Sequence, residues 1–360
     1  MLLPIHFPHA GAWLSKNQRI LAADVGGTKT ILELFDVRQN HFHSIKTTTY
    51  RSKDHSSFLE IVRLFLIEQP MPDKICIGIA GPVLQGTCKT TNLAWVVDTE
   101  EIRQQLGIPY VFLINDLEAN AYGLAALSPS DTKTLHAGNP ENGGNVAIIA
   151  AGTGLGEAGL FWDGKAYHPF PTEGGHASFS PRSELDIALC SYLQKQFGHV
   201  SWERVVSGMG IYNIYLFLRD VLKRDEPAWL EEKMLSGDPA SVISKTALQG
   251  GCPICDETMQ LFVHYLAEES ANLVLKMKAT GGLYLGGGIA PKILPLLTEE
   301  RFMPDFFPRG RMRELLEGVP VYIILNPHTA LLGAAHYGAY SGLPTTTLNF
   351  PAIELLETLD

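Results

Sequence analysis

The feature that most constrains this chain is a pattern that occurs twice. Residues 19–36, "RILAADVGGTKTILELFD", read as an apolar strand, a Gly-Gly bend and a second apolar strand. Residues 145–167, "NVAIIAAGTGLGEAGLFWDGKAY", repeat strand, Gly-rich bend and strand, then add an Asp-Gly turn into a third strand. Two such hairpins predict a duplicated architecture, alike in pattern although few residues match.

The segments between and after them alternate. "FLEIVRLFLIEQ" (58–69) has helical apolar spacing, and "KICIGIAG" (74–81) is a short buried strand. "DTEEIRQQLG" (98–107) opens on an Asp cap and stops at Gly107. "PYVFLIN" (109–115) is a strand, followed by the helix "LEANAYGLAAL". Beyond residue 183 helices dominate: one capped by Ser183 with Asp186 and ending at Gly198, and a long one over 256–282 stopped by Gly281-Gly282. "LYLGGGIAPKIL" reads as strand, Gly turn and helix, "VPVYIILN" (319–326) as a last strand and "TALLGAAHYGAY" (329–340) as a last helix. This alternation predicts α/β layers, in which ligands bind where strands end.

Composition narrows the function classes. A chain of 360 residues suits two domains, and 46% hydrophobic with 18% charged residues predicts a globular protein. A net charge of −10 without a Lys/Arg-rich run argues against nucleic-acid binding. No apolar run approaches the roughly 18 residues of a membrane span. The five cysteines are odd in number and irregularly spaced, which predicts no disulfide framework and a cytoplasmic location. Cys252 and Cys255 form a lone C-x-x-C, too few ligands for a zinc site; they read as two ordinary thiols near a helix start. Residues 1–17 lack the early charge and apolar core of a signal peptide and read as a terminal extension.

Five segments carry groups suited to chemistry. In "DVGGTKT" (24–30) Gly26 and Gly27 let the backbone approach a phosphate, while Thr28 and Lys29 add a hydroxyl and a positive charge. No helix follows the turn, so it is neither a Walker A loop nor G-x-G-x-x-G, and a plain hairpin explains it equally well. "AAGTGLGEAG" (150–159) alternates Gly152, Gly154 and Gly156 around Thr153, more glycine than a plain turn needs. "LYLGGGIAP" (283–291) places Gly286, Gly287 and Gly288 after a strand, suited to a flat ring or a phosphate. In "PTEGGHASFSP" (171–181) Glu173 and His176 can hydrogen-bond sugar hydroxyls, although one Glu beside one His is also common in surface loops. At Asn115-Asp116 a strand ends in a carboxylate that fits either a helix cap or a base for phosphoryl transfer.

Together these segments resemble the bacterial glucokinase family of actin-like sugar kinases. The resemblance spans about residues 20 to 340 and rests on "ADVGGTKT", "LINDLEANAYG", "AGTGLGEAGL", "PTEGGHASFSP", "GHVSWERVVSGMGIYNIY", "LYLGGGIAP" and "LLGAAHYG" in that order. It implies an α/β, actin-like (ribonuclease H-like) fold with two domains and the active site in the cleft between them. The expected division is a small domain over 18–126, completed by a C-terminal helix within 327–360, and a large domain over 127–326. The implied reaction transfers phosphate from ATP to the 6-hydroxyl of glucose, with Mg²⁺. Asp116 matches the family's catalytic base, and Asn115, Glu173, His176 and Glu203 match its glucose ligands. The phosphates would lie between the turns at Asp24–Lys29 and Gly152–Gly154, with adenosine against Gly286–Gly288 and Asp24 as the carboxylate for Mg²⁺ or its water shell. The resemblance also implies a homodimer.

The departures lie away from the sugar positions. The usual turn reads D-V-G-G-T-N, and here Lys29 replaces Asn, as in the related ROK sugar kinases. Those carry a Cys-rich zinc motif that this chain lacks. A kinase for another hexose remains an alternative, since one hydroxyl's orientation decides. A sugar-sensing regulator on the same fold fits less well, because 17 residues are too few for a DNA-binding module.

Overall fold

The computed structural model describes residues 3–8, 17–39, 41–90, 93–139 and 143–342. Its strands are β1 (Gln18–Val25), β2 (Lys29–Arg38), β3 (His41–Arg51), β4 (Lys74–Ile79), β5 (Thr87–Lys89), β6 (Val96–Asp98), β7 (Tyr110–Asn115), β8 (Thr132–His136), β9 (Val146–Ala151), β10 (Leu155–Trp162), β11 (Tyr167–Thr172), β12 (Gly282–Gly286) and β13 (Val321–Ile324). Its helices are α1 (Phe58–Leu66), α2 (Thr99–Leu106), α3 (Asp116–Gly123), α4 (Glu184–Phe197), α5 (Gly208–Asp220), α6 (Ala228–Ser236), α7 (Pro239–Gln249), α8 (Pro253–Met277), α9 (Glu299–Phe306), α10 (Arg313–Glu317) and α11 (Thr329–Tyr340).

The repeated sequence pattern becomes a repeated sheet. A five-stranded sheet runs β3-β2-β1-β4-β7, and a six-stranded sheet runs β11-β10-β9-β12-β13-β8. In each, an antiparallel hairpin (β1 with β2, β9 with β10) is extended on its other side by parallel strands. The second sheet adds β8, antiparallel to β13, at its edge. A central parallel strand is covered on both faces, and Ile20, Leu21, Ala22 and Ala23 of β1 are accordingly buried.

Alternation decides which layer each residue meets. Leu21, Ala23 and Val25 face α1 and α2 through Phe58, Ile61, Phe65 and Ile102. Ile20 and Ala22 face α3 and α11 through Ala119, Tyr122, Leu331 and Ala335. The next turn of α3 belongs to the other sheet: Ala121 and, just beyond it, Leu124 pack with Val146, Ile148 and Leu160. The helix that begins at Asp116 is therefore wedged between the two sheets. It also lies backbone to backbone on α11, because a Cβ at Gly333 would overlap the carbonyl oxygen of Ala119. The last turn of α11 is capped from the first sheet: Gln18 Nε2 and Lys74 Nζ donate to the Ala339 carbonyl at 2.9 and 3.2 Å.

Several expected boundaries move. The long helix α8 begins at Pro253 and ends at Met277, where Lys278 adopts a left-handed φ of 47°. Gly281-Gly282 therefore does not stop that helix, and Gly282 opens β12 instead. The turn after "LGGG" leads into a short 3₁₀ segment, Ala290–Ile293, in place of the expected α-helix. Part of the expected terminal extension is packed: the Tyr167 N–H donates to Pro4 O at 2.8 Å, and the Phe7 ring lies 5.4 Å from that of Tyr122. Residues 9–16 of that extension and 343–360 of the expected C-terminal piece lie outside the described residues. Cys252 and Cys255 are free, buried thiols at the start of α8. No helix among the described residues is long and apolar enough to cross a membrane.

Candidate active site

The carboxyl ends of β1, β4 and β7 meet at one edge of the first sheet. Asp24 is in register with Gly78, and Ile79 with Asn115. A Cβ at Gly78 would approach the Ala119 side chain at 3.0 Å and the Asp116 Cα at 4.0 Å, so a glycine lets α3 start directly over β4. The question left open at Asn115-Asp116 is answered by geometry. Asn115 is the cap: its Oδ1 accepts the N–H groups of Leu117 and Glu118 at 2.9 and 3.3 Å, while its Nδ2 donates to Gly81 O at 3.2 Å. Among the described residues no bond uses the second Nδ2 hydrogen of Asn115. Asp116 is the first helical residue; its Oδ1 accepts the Leu117 N–H at 3.0 Å, and its own backbone N–H also points to the carboxylate.

Burial pushes the Asp116 carboxyl up to about 7, and the nearby Asp24 carboxylate adds to that. The Leu117 N–H opposes the rise, and Glu173 contributes a smaller upward push. Asp24 is itself raised by burial, with Lys29 and His328 opposing. Asp24, Asp116 and Glu173 thus belong to one electrostatic neighbourhood.

Glu173 caps a short 3₁₀ turn, Gly174–His176, that His176 ends, with Oε2 and Nε2 3.9 Å apart and both side chains more than half exposed. The two glycines between them exist because the loop rests flat on β10. A Cβ at Gly174 would overlap Glu157 Oε2, and one at Gly175 would overlap the Leu155 carbonyl. The loop is stitched to the segment before α5: Trp202 N–H donates to Ala177 O at 3.0 Å, and Phe179 N–H to Val200 O at 2.9 Å. The buried Trp202 ring anchors that segment and delivers Glu203 to the second Gly-rich turn. There Glu203 Oε2 accepts the Leu155 N–H at 3.0 Å, and a Cβ at Gly154 would overlap it.

The three Gly-rich turns are brought together in part and differ in what they offer. Gly26 N–H is used within its own turn, donating to Lys29 O at 3.0 Å, and Gly152 N–H likewise donates to Gly154 O at 2.8 Å. In the first two turns, the amides that no hydrogen bond reaches among the described residues are those of Gly27, Thr28, Thr153 and Gly154. Gly287 has a φ of +82° and lies against Ala151, where a Cβ would overlap the carbonyl. Ile289 N–H donates to that same carbonyl at 3.1 Å. The third turn is thereby locked to the second, with Gly287 and Gly288 exposed and Gly286 buried within β12.

Some participants carried no sequence signal. Ser52, after β3, donates from Oγ to Gly26 O at 2.7 Å and from its N–H to Thr28 O at 3.1 Å, holding the first turn. His328, before α11, acts on Asp24. Both are far in sequence from the turn they serve. A depression of 480 Å³ lies at the opposite, amino ends of β1, β4 and β7, lined by Gln18, Lys74 and Tyr110, away from these groups. Ligands of such sheets bind at the carboxyl ends.

The donor set at Asp24 fits Mg²⁺. Its carboxylate receives no hydrogen bond among the described residues, and Mg²⁺ takes hard oxygen ligands with water completing the shell.

Known proteins resemble this chain over most of its length. The family described as Glucokinase matches residues 21–340. A glucokinase of Nostoc punctiforme is 46% identical over 334 residues, covering 88% of this chain and 97% of that protein. A glucokinase structure from an Antarctic psychrotroph superposes with a TM-score of 0.74 at 32% identity, covering 89% of this chain and 98% of that one. A ROK family glucokinase of Streptomyces griseus, solved with glucose and AMPPNP, shares the fold with a TM-score of 0.61 at 19% identity, covering 89% and 98%. The chain belongs to the glucokinase family.

Proposed function

We propose that Asp116 is the general base in the ATP-dependent phosphorylation of glucose that membership of this family assigns to the chain. The observation that carries this reading is the pairing at the end of β7. Asn115 takes the capping duty, which leaves the Asp116 carboxyl beside Asp24 with its pKa held near neutrality. A base with a pKa near the working pH combines a useful ionised fraction with a real affinity for the proton.

The sugar would be fixed by the remaining Asn115 amide hydrogen, by Glu173 and His176 on their exposed loop, and by the Glu203 oxygen not bonded to Leu155. That arrangement turns the 6-hydroxyl toward Asp116, which accepts its proton as the hydroxyl oxygen attacks the terminal phosphorus and the bond from that phosphorus to the bridging oxygen breaks, releasing ADP. The free amides of Gly27, Thr28, Thr153 and Gly154, with Lys29, would receive phosphate oxygens. Gly286–Gly288 would flank the adenosine. Asp24 would hold Mg²⁺ directly or through water, and the bound ion would offset charge on the phosphates. The complexed Streptomyces griseus protein supports glucose and ATP as the pair of substrates.

The two sheets, each with its own core, support a division into two domains near residue 126, with the chain beyond 327 returning to the first. Closure of the cleft between them would exclude water and suppress ATP hydrolysis. Five free thiols support a reducing cytoplasm, and a homodimer belongs to the same reading.

Asp116→Asn tests the assignment. A coupled kinase assay should show turnover lower by roughly 10²- to 10⁴-fold, with glucose affinity by calorimetry retained. Near-normal turnover would remove Asp116 from the role. A hexose panel scored for the 6-phosphate separates glucose from the alternative of another hexose.

A further inference from the structure

Directly beneath the E-G-G-H loop lies an acidic group that the mechanism does not use. Glu157, in β10, is 1% exposed, and among the described residues no N–H or hydroxyl donates to its Oε1. Its other oxygen sits where a Cβ on Gly174 would be. The main chain clamps the same place: Thr172 Oγ1 donates to Glu157 O at 3.1 Å and accepts the Gly174 N–H at 3.2 Å. Glu157 therefore touches the loop midway between Glu173 and His176.

The far side of Glu157 faces a second buried acid. Glu269 of α8 is fully buried and accepts from Asn272 Nδ2 at 2.8 Å and from Lys276 Nζ at 2.9 Å. The charged groups facing Glu157 are Glu269 and Lys276, both from α8. Its strand neighbours in register, Ile149 on β9 and Thr172 on β11, carry no charge. One lysine cannot neutralise two adjacent buried carboxylates, so the pair retains a proton. Glu269 already has two donors, so the proton resides on Glu157, which donates it to Glu269. Burial and the neighbouring Glu269 both push the Glu157 carboxyl upward, against Lys276.

We propose that Glu157 is a positioning residue for the glucose site: its neutral carboxyl, hydrogen-bonded to Glu269, is the floor on which Gly174 rests, and it sets where Glu173 and His176 point. The inference rests on the reading of Glu173 and His176 as glucose ligands. Loss of the proton puts two anions side by side, forces them apart and displaces Gly174. Glucose binding then weakens at alkaline pH while the chemical step, which belongs to Asp116, changes less.

The test compares KM for glucose and kcat across pH in wild type, Glu157→Gln and Glu157→Ala. In wild type KM rises above the Glu157 titration and kcat changes little. Gln mimics the protonated acid, so Glu157→Gln keeps the wild-type KM near neutrality and loses the alkaline rise. Glu157→Ala raises KM by roughly tenfold at every pH, as expected for a displaced positioning loop. If Glu157→Ala does not fold, the Gln variant alone decides. An alkaline rise in KM that persists in Glu157→Gln overturns the proposal. So does an unchanged KM in a folded Glu157→Ala. Glu173→Ala separates the two readings. If it leaves KM unchanged, the ligand assignment fails. If it raises KM while the Glu157 variants do nothing, only the floor fails.

Discussion

The turn between β1 and β2 and the turn between β9 and β10 occupy equivalent places in two sheets that match over five strands, yet they are held differently. The first is braced from within its own half, by Ser52 on the carbonyls of Gly26 and Thr28. It carries fixed charge, with Asp24 on one side and Lys29 on the other. The second carries no charge and is braced from outside. Gly208 N–H donates to Gly152 O at 2.8 Å, Ile289 N–H to Ala151 O at 3.1 Å, and Glu203 accepts Leu155 N–H at 3.0 Å. A duplicated hairpin has thus diverged in its supports more than in its shape. On the proposed roles, the first turn supplies electrostatics to the phosphates, and the second ties a sugar ligand to the nucleotide-binding backbone.

Substitutions should separate the two turns. Asp24→Asn has the largest expected effect: the Mg²⁺ concentration for half-maximal rate rises by roughly 10- to 100-fold, as for loss of a metal-supporting partner. Glucose affinity stays the same by calorimetry. Because the Asp24 charge raises the Asp116 pKa, the acid limb of the rate profile also moves to lower pH in this variant. An unmoved limb would separate the two carboxylates. Glu203→Gln comes next. It replaces a charge-assisted bond to Leu155 N–H by a neutral one, a loss of about 1 kcal/mol or several-fold in KM. KM should rise for ATP as well as for glucose, and a change confined to glucose would break the linking role of the second turn. Lys29→Asn is the mildest. An exposed charge is worth up to about 1 kcal/mol, so KM for ATP rises a few-fold, less so at high salt, and glucose is unaffected.

What the sequence revealed follows from how local each signal is. The hairpins, the Asp98 and Ser183 caps and the Gly107 and Gly198 stops are encoded within a few residues and match the structure. The end of α8 is not legible locally: Gly281-Gly282 has the form of a stop, whereas Lys278 adopts the left-handed conformation first. The Asn115-Asp116 pair was ambiguous because both residue types cap helices; only the direction of the Asn115 amide, held by Gly81 O, separates them. Ser52 and Glu157 were invisible for another reason. A serine after a strand and a glutamate in an alternating strand both read as surface residues. Their partners, Gly26 and Glu269, are distant in sequence. The packing of residues 3–8 on β11 and α3 is equally non-local.

The central claim is that Asp116 is the proton acceptor. The most direct measurement is kcat/KM for glucose against pH, which reports ionisations of the free enzyme. A carboxylate must be ionised to accept a proton, and burial has raised this one. The rate should therefore climb with unit slope at low pH and level off near pH 7. In Asp116→Asn the residual rate should be flat across the same range. A wild-type profile that stays level down to the ordinary carboxylate range of about pH 4 would contradict the account. An Asp116→Asn profile that keeps both the rate and the bend would contradict it equally.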